Sequence, residues 1–134
     1  MAGPAKAGLL IYACDTERIA QFYQEILGMR RLHAREELIV IQSDDIQLLI
    51  HQIPAHIAAS IVILSPPKRR EDTALKFFFT VPSLDQARLA AAELGGQVFD
   101  ESWEGPGFTV CNAMDPEGNV FQVRELDRGE QPTL

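Results

Sequence analysis

Asp115-Pro116-Glu117-Gly118-Asn119-Val120-Phe121-Gln122-Val123-Arg124-Glu125 reads as a turn that launches a strand. Asp-Pro followed by Glu-Gly-Asn is strong turn chemistry, because Pro presets φ and Gly accepts a left-handed backbone. The residues after it, Val120, Phe121, Gln122 and Val123, alternate in the manner of a strand with one polar position, Gln122, on its inner side. A tight turn therefore launches a strand whose one buried polar position is Gln122.

Working back from this segment, the chain repeats itself. A strand-like run, Leu9 to Ala13, is followed by Asp15 as a helix N-cap. Ile19, Phe22, Tyr23, Ile26 and Leu27 then recur at three- and four-residue steps until Gly28 stops the helix. The second copy runs Phe77 to Val81, Pro82, Ser83 as cap, then Leu84, Ala87, Leu89, Ala91 and Leu94 before Gly95-Gly96. A shift of 68 residues carries Asp15 onto Ser83 and Gly28 onto Gly96. Three strands are expected after each helix: 29–34, 37–42 and 46–52 in the first copy, with Asp44-Asp45 as a turn, and 97–101, 107–113 and 119–125 in the second. The predicted class is α+β, one domain of two βαβββ modules at 8–52 and 75–126. A linker at 53–74 is expected to contain a short strand, Ser60 to Leu64, and a tail occupies 127–134. A linker of this length points to function or to an intersubunit contact.

The totals bound the function. The 134 residues suffice for one domain with a real core. Hydrophobic content of 46% with 23% charged residues is that of an ordinary soluble protein, and no apolar run reaches membrane-spanning length. The opening residues lack the apolar stretch of a secretory signal, so a cytoplasmic location is expected. A net charge of −7 argues against nucleic acid, whose affinity for proteins comes from Lys and Arg on phosphates. The basic cluster Lys68-Arg69-Arg70 is followed at once by Glu71-Asp72, as in a solvated loop. Cys14 and Cys111 lack CxxC spacing and read as packing thiols. Glu36-Glu37 and Asp44-Asp45 are adjacent pairs that a strand would point to opposite faces, so neither forms a catalytic dyad. Phosphate-loop, nucleophile-elbow and dinucleotide patterns are absent.

Asp15, Phe22-Tyr23, Leu27-Gly28, Gly95-Gly96 and the Asp115 to Gly118 turn, in that order, resemble the signature of the glyoxalase/bleomycin resistance/dioxygenase superfamily, the vicinal oxygen chelate fold. The resemblance spans about Gly8 to Glu125. It implies a cupped, mostly antiparallel sheet with helices outside, a ligand held between modules, and a homodimer. In metal-dependent relatives four inward side chains bind a divalent cation. Carried over by the Asp15 and Asp115 anchors, those positions are Gly8, Leu49, Lys76 and Gln122. Glycine and leucine offer no donor, a protonated lysine repels a cation, and a glutamine amide is a weak neutral ligand. The chain is therefore expected to lack the inherited metal site, with no cofactor.

His51, two residues beyond Leu49, falls on the same strand face, whereas His33 and His56 stand apart. The cavity that the resemblance implies is lined by Lys76, Gln122 and His51 against Tyr12, Phe78, Trp103, Phe108 and Phe121. A buried Lys76 calls for an anionic group on the ligand, while a Lys76 at the strand edge would simply reach solvent. Trp103, in the Gly/Pro-rich run Trp103-Glu104-Gly105-Pro106-Gly107, is a loop aromatic that either covers a ligand or anchors the core. Two functions follow. One is a metal-free binding protein for a small molecule, anionic or aromatic, of the bleomycin resistance kind. The other is a glyoxalase- or dioxygenase-type enzyme using other ligands, or metal-free acid/base chemistry by His51 or Lys76. A structural role is the remaining class, and membranes are not an expected partner.

Overall fold

The computed structural model describes residues 5–128. Of the expected tail at 127–134, residues 129–134 lie outside the described residues. The chain divides into two compact units, with the division between Leu64 and Ser65. The expected linker is thus shared between them.

In the first unit β1 (Gly8–Ala13), α1 (Thr16–Leu27), β2 (Arg30–Arg35), β3 (Leu38–Gln42) and β4 (Gln47–Gln52) follow in order. The sheet order is β1-β4-β3-β2, with β1 parallel to β4 and the other two pairs antiparallel. Asp15 starts α1 by accepting from the Arg18 backbone N–H at 3.1 Å, and Gly28 ends it at φ 65°. Ile19, Ala20, Phe22, Tyr23 and Ile26 bury one stripe of the helix. Ile11, Ala13, Ile39, Ile41, Leu48 and Ile50 supply the buried side of the sheet. Each large apolar side chain removed from water contributes roughly 1.5–3 kcal/mol, so this stripe dominates the unit's stability. Arg31 ties β2 to α1 through a forked contact with Glu17 (2.9 and 3.0 Å), which holds the Glu17 carboxyl below its ordinary pKa.

Beyond β4, a single helical turn, α2 (Ala55–Ala58), replaces the start of the expected linker. The predicted strand at Ser60 to Leu64 does not form. The backbone N–H groups of Ser60 and Ile61 instead donate back to the Ile57 and Ala58 carbonyls, continuing the turn of α2.

The second unit repeats the plan with β5 (Phe78–Thr80), α3 (Leu84–Glu93), β6 (Gln97–Gly105), β7 (Phe108–Met114) and β8 (Val120–Leu126), in sheet order β5-β8-β7-β6. Hydrogen bonding therefore makes two four-stranded mixed sheets, one per module. Ser83 caps α3 through the Gln86 N–H at 3.1 Å, and Glu125 of β8 accepts from the Leu84 N–H at 2.7 Å. Leu84, Ala87 and Ala91 are the buried side of α3, whereas Leu89 is exposed, contrary to the expected stripe. The left-handed glycine is Gly95 (φ 91°), one residue earlier than the repeat predicted, and α3 is shorter than α1.

Two further expectations change. β6 extends well past Glu101, and Trp103 sits within it opposite Val110 rather than in a loop. The Gly/Pro-rich run is a hairpin turn confined to Pro106-Gly107, with Gly107 at φ 82°. In the Asp115 turn, the buried carboxylate accepts from the backbone N–H groups of Glu117 (2.9 Å) and Asn119 (3.1 Å) and from Asn119 Nδ2 (2.8 Å). The linker then docks on this turn, where the Arg70 N–H donates to the Gly118 carbonyl at 2.8 Å.

Candidate functional site

Strand alternation gives each sheet one side packed on its helix and one helix-free side. In the first unit the helix-free side is read directly from the registers. Leu10, Leu49, Val40 and His33 form one row across β1, β4, β3 and β2, and Tyr12, His51, Leu38 and Arg35 form the next. Gly8 is on this side as well. A Cβ added to it would approach Leu49 Cδ1 at 3.7 Å, so the structure brings together the two carried-over positions of this module. Tyr12 is exposed, and its ring meets His51 edge-on at 5.9 Å. His51 Nδ1 lies 2.8 Å from the Gln52 carbonyl. Since a carbonyl only accepts, Nδ1 carries the proton and Nε2 is left as the acceptor of the neutral ring.

In the second unit the helix-free side carries Phe78, Gln122 and Asn112 in one row, and Thr80, Arg124, Val110 and Trp103 in the next. Arg124 is the centre of this face. Its guanidinium carbon stands 3.7 Å from the Phe78 ring centroid and 4.2 Å from that of Phe108, one ring from each neighbouring strand. Such contacts attract a cation to the ring faces. Arg124 Nε and Asn112 Oδ1 are nevertheless both buried without a hydrogen-bond partner. Among the described residues no carboxylate lies within ion-pair distance of Arg124. A buried polar atom left in this condition costs about 1–3 kcal/mol, which makes the pair the most unusual polar feature of the unit.

The expected lining residues are sorted by this geometry. Gln122, Phe78, Phe108 and Trp103 stand on the helix-free face of the second sheet, and Tyr12 and His51 on that of the first. Phe121 does not belong with them. It is fully buried on the helix side, stacked on Phe77 at 5.8 Å and edge-on to Phe79, because strand parity sends it opposite to Gln122. Lys76 precedes β5 and is exposed, so it needs no buried anion. The cation that does stand on this face is Arg124, which is not among the expected lining residues. The signal for it was present: the step of two that led from Leu49 to His51 leads from Gln122 to Arg124. Indeed Tyr12 pairs His51 as Thr80 pairs Arg124.

The positions carried over from metal-dependent relatives, Gly8, Leu49, Lys76 and Gln122, offer no donor set that fits a divalent metal. Among the described residues no three His, Cys, Asp or Glu side chains gather as a metal-holding group. No helix among them is long and apolar enough to cross a membrane. Cys111, buried under α3 with Arg88 Nη2 at 3.5 Å, has its thiol pKa pushed up by burial, as a packing cysteine should.

Two four-stranded sheets, each with a parallel first-to-last pair and a helix on one side, define the paired βαβββ plan of this fold class. The glyoxalase-like domain matches residues 9–124, and the chain belongs to that family. Solved structures agree on the fold. A glyoxalase/bleomycin resistance protein/dioxygenase family enzyme from Burkholderia phytofirmans PsJN superposes with a TM-score of 0.68 at 15% identity, over 92% of this chain and 99% of its own. The hypothetical protein SA1046 from S. aureus gives 0.64 at 21%, over 90% and 92%. A glyoxalase/bleomycin resistance protein from Albidiferax ferrireducens T118 gives 0.62 at 17%, over 89% and 96%. No curated protein matches the chain.

Proposed function

We propose that this protein binds a small molecule on its helix-free sheet faces without the divalent metal used by metal-dependent relatives. The observation that carries this reading is Arg124 held between Phe78 and Phe108, beside Gln122 and Asn112. Aromatic surface with a few convergent polar groups is the usual composition of a small-molecule site. The bleomycin resistance proteins among the similar structures support a binding role. Amide-resolved NMR titration with a panel of aromatic fragments tests it. Shifts should cluster on Phe78, Asn112, Gln122 and Arg124, and Gln122→Ala should weaken them. Fragments that perturb only the exposed linker would refute the assignment. Zinc or nickel should leave the melting temperature unchanged, since the inherited positions offer no donor set.

A second reading, a metal-free lyase or isomerase, has one observation in its favour. His51 has a fixed tautomer and a free acceptor nitrogen beside Tyr12. Mass spectrometry of recovered ligand separates the two: unchanged ligand after prolonged incubation supports binding, and a transformed one supports catalysis. The protein is proposed to act in the cytoplasm as a homodimer.

A further inference from the structure

We infer that Arg124 is the anion anchor of this face, and that the ligand it takes is a carboxylate borne on an aromatic or otherwise apolar body. The inference rests on the binding role proposed above and names the ligand class. The guanidinium is approached by Phe78 and Phe108, which occupy the space a ligand ring would need to stack on it. What remains for a ligand is the terminal pair of Nη groups of this half-buried side chain, whose planar fork of donors matches the two oxygens of a carboxylate. The site is built to keep that fork unspent. No described carboxylate lies within ion-pair reach of Arg124, although the chain carries nineteen acidic residues, and Nε itself is buried and unpartnered. Four other arginines are ion-paired, Arg31 with Glu17, Arg35 with Glu37, Arg69 with Glu71 and Arg88 with Asp85, and among the described residues the buried, unpartnered Nε sets Arg124 apart from Arg18, Arg30, Arg70 and Arg128, which also lack an ion pair. An arginine wrapped in two phenylalanines and left without a counter-ion is complete only when an anion arrives from outside. Asn112, whose buried Oδ1 also lacks a partner, lies one row away and suits a donor N–H or O–H on the same ligand.

The test uses the full chain and two probes, benzoate and its uncharged analogue benzamide, followed by NMR at the Arg124 side-chain Nε–Hε and the Gln122 and Asn112 amides. Benzoate should bind more tightly than benzamide by about tenfold or more, the worth of a charge-assisted fork. Arg124→Gln should bring benzoate down to the benzamide level, and Arg124→Lys, which keeps the charge but not the fork, should recover only part of the difference. Unchanged amide dispersion in Arg124→Lys verifies the fold, so that variant decides the matter if Arg124→Gln proves unstable. Equal binding of the two probes, unaffected by either substitution, would overturn the anchor while leaving the binding role standing. Silence of this face toward both probes would count against both.

Discussion

Gly118 shows how much one residue of the Asp115 turn carries. Its φ is 87°, and a Cβ there would collide with the carbonyl oxygen of Lys68, where the linker crosses the turn. Gly118→Ala therefore adds a backbone clash to a conformation that L-residues avoid, and should lower stability by about 1–3 kcal/mol at least. Gly28, also at positive φ, faces open space, so Gly28→Ala bears only the conformational term of about 1 kcal/mol. Urea midpoints of the two variants check the order, and equal losses would mean that the linker yields. The turn's identity was legible from Asp-Pro-Glu-Gly alone. Its docking on Lys68 and Arg70 was not, since that contact joins residues far apart in sequence.

At the scale of elements, α3 depends on two chemically different caps. Ser83 serves its own helix, while Glu125 reaches it from β8. Ser83→Ala should cost about 1 kcal/mol, in the usual range for a lost N-cap, and Glu125→Ala a similar amount. In a double-mutant cycle read by chemical denaturation, the two losses should interact, because both act on one helix terminus. Strict additivity would remove that claim. The Ser83 cap was readable from its place before an apolar period. The Glu125 cap needed the register of β8 against β5. Trp103 teaches the same lesson: glycine and proline marked a bend correctly, but the bend is two residues wide and the tryptophan belongs to a strand.

For the whole molecule, the repeat is the organising fact, with each unit closing its own core between one helix and one sheet face. The apolar side chains of Ile57, Val62 and Leu64 in the first unit, and of Leu75 in the second, are exposed. They support the proposed homodimer, since exposed apolar surface of this kind favours association. Light scattering coupled to size exclusion should return twice the 14.9 kDa chain mass. A mass that stays at the single-chain value up to high micromolar concentration would exclude the dimer.

Local chemistry determined the two βαβββ modules, because caps, turns and apolar periods act over a few residues and each is written where it operates. It determined equally that Gly8, Leu49, Lys76 and Gln122 are a poor set of metal ligands. Only the tertiary structure decided where the two cations lie. Strand pairing placed Arg124 between Phe78 and Phe108, left Lys76 in solvent and turned Phe121 into the core. Partnership across strands depends on register, and register is a property of the assembled sheet rather than of any one segment.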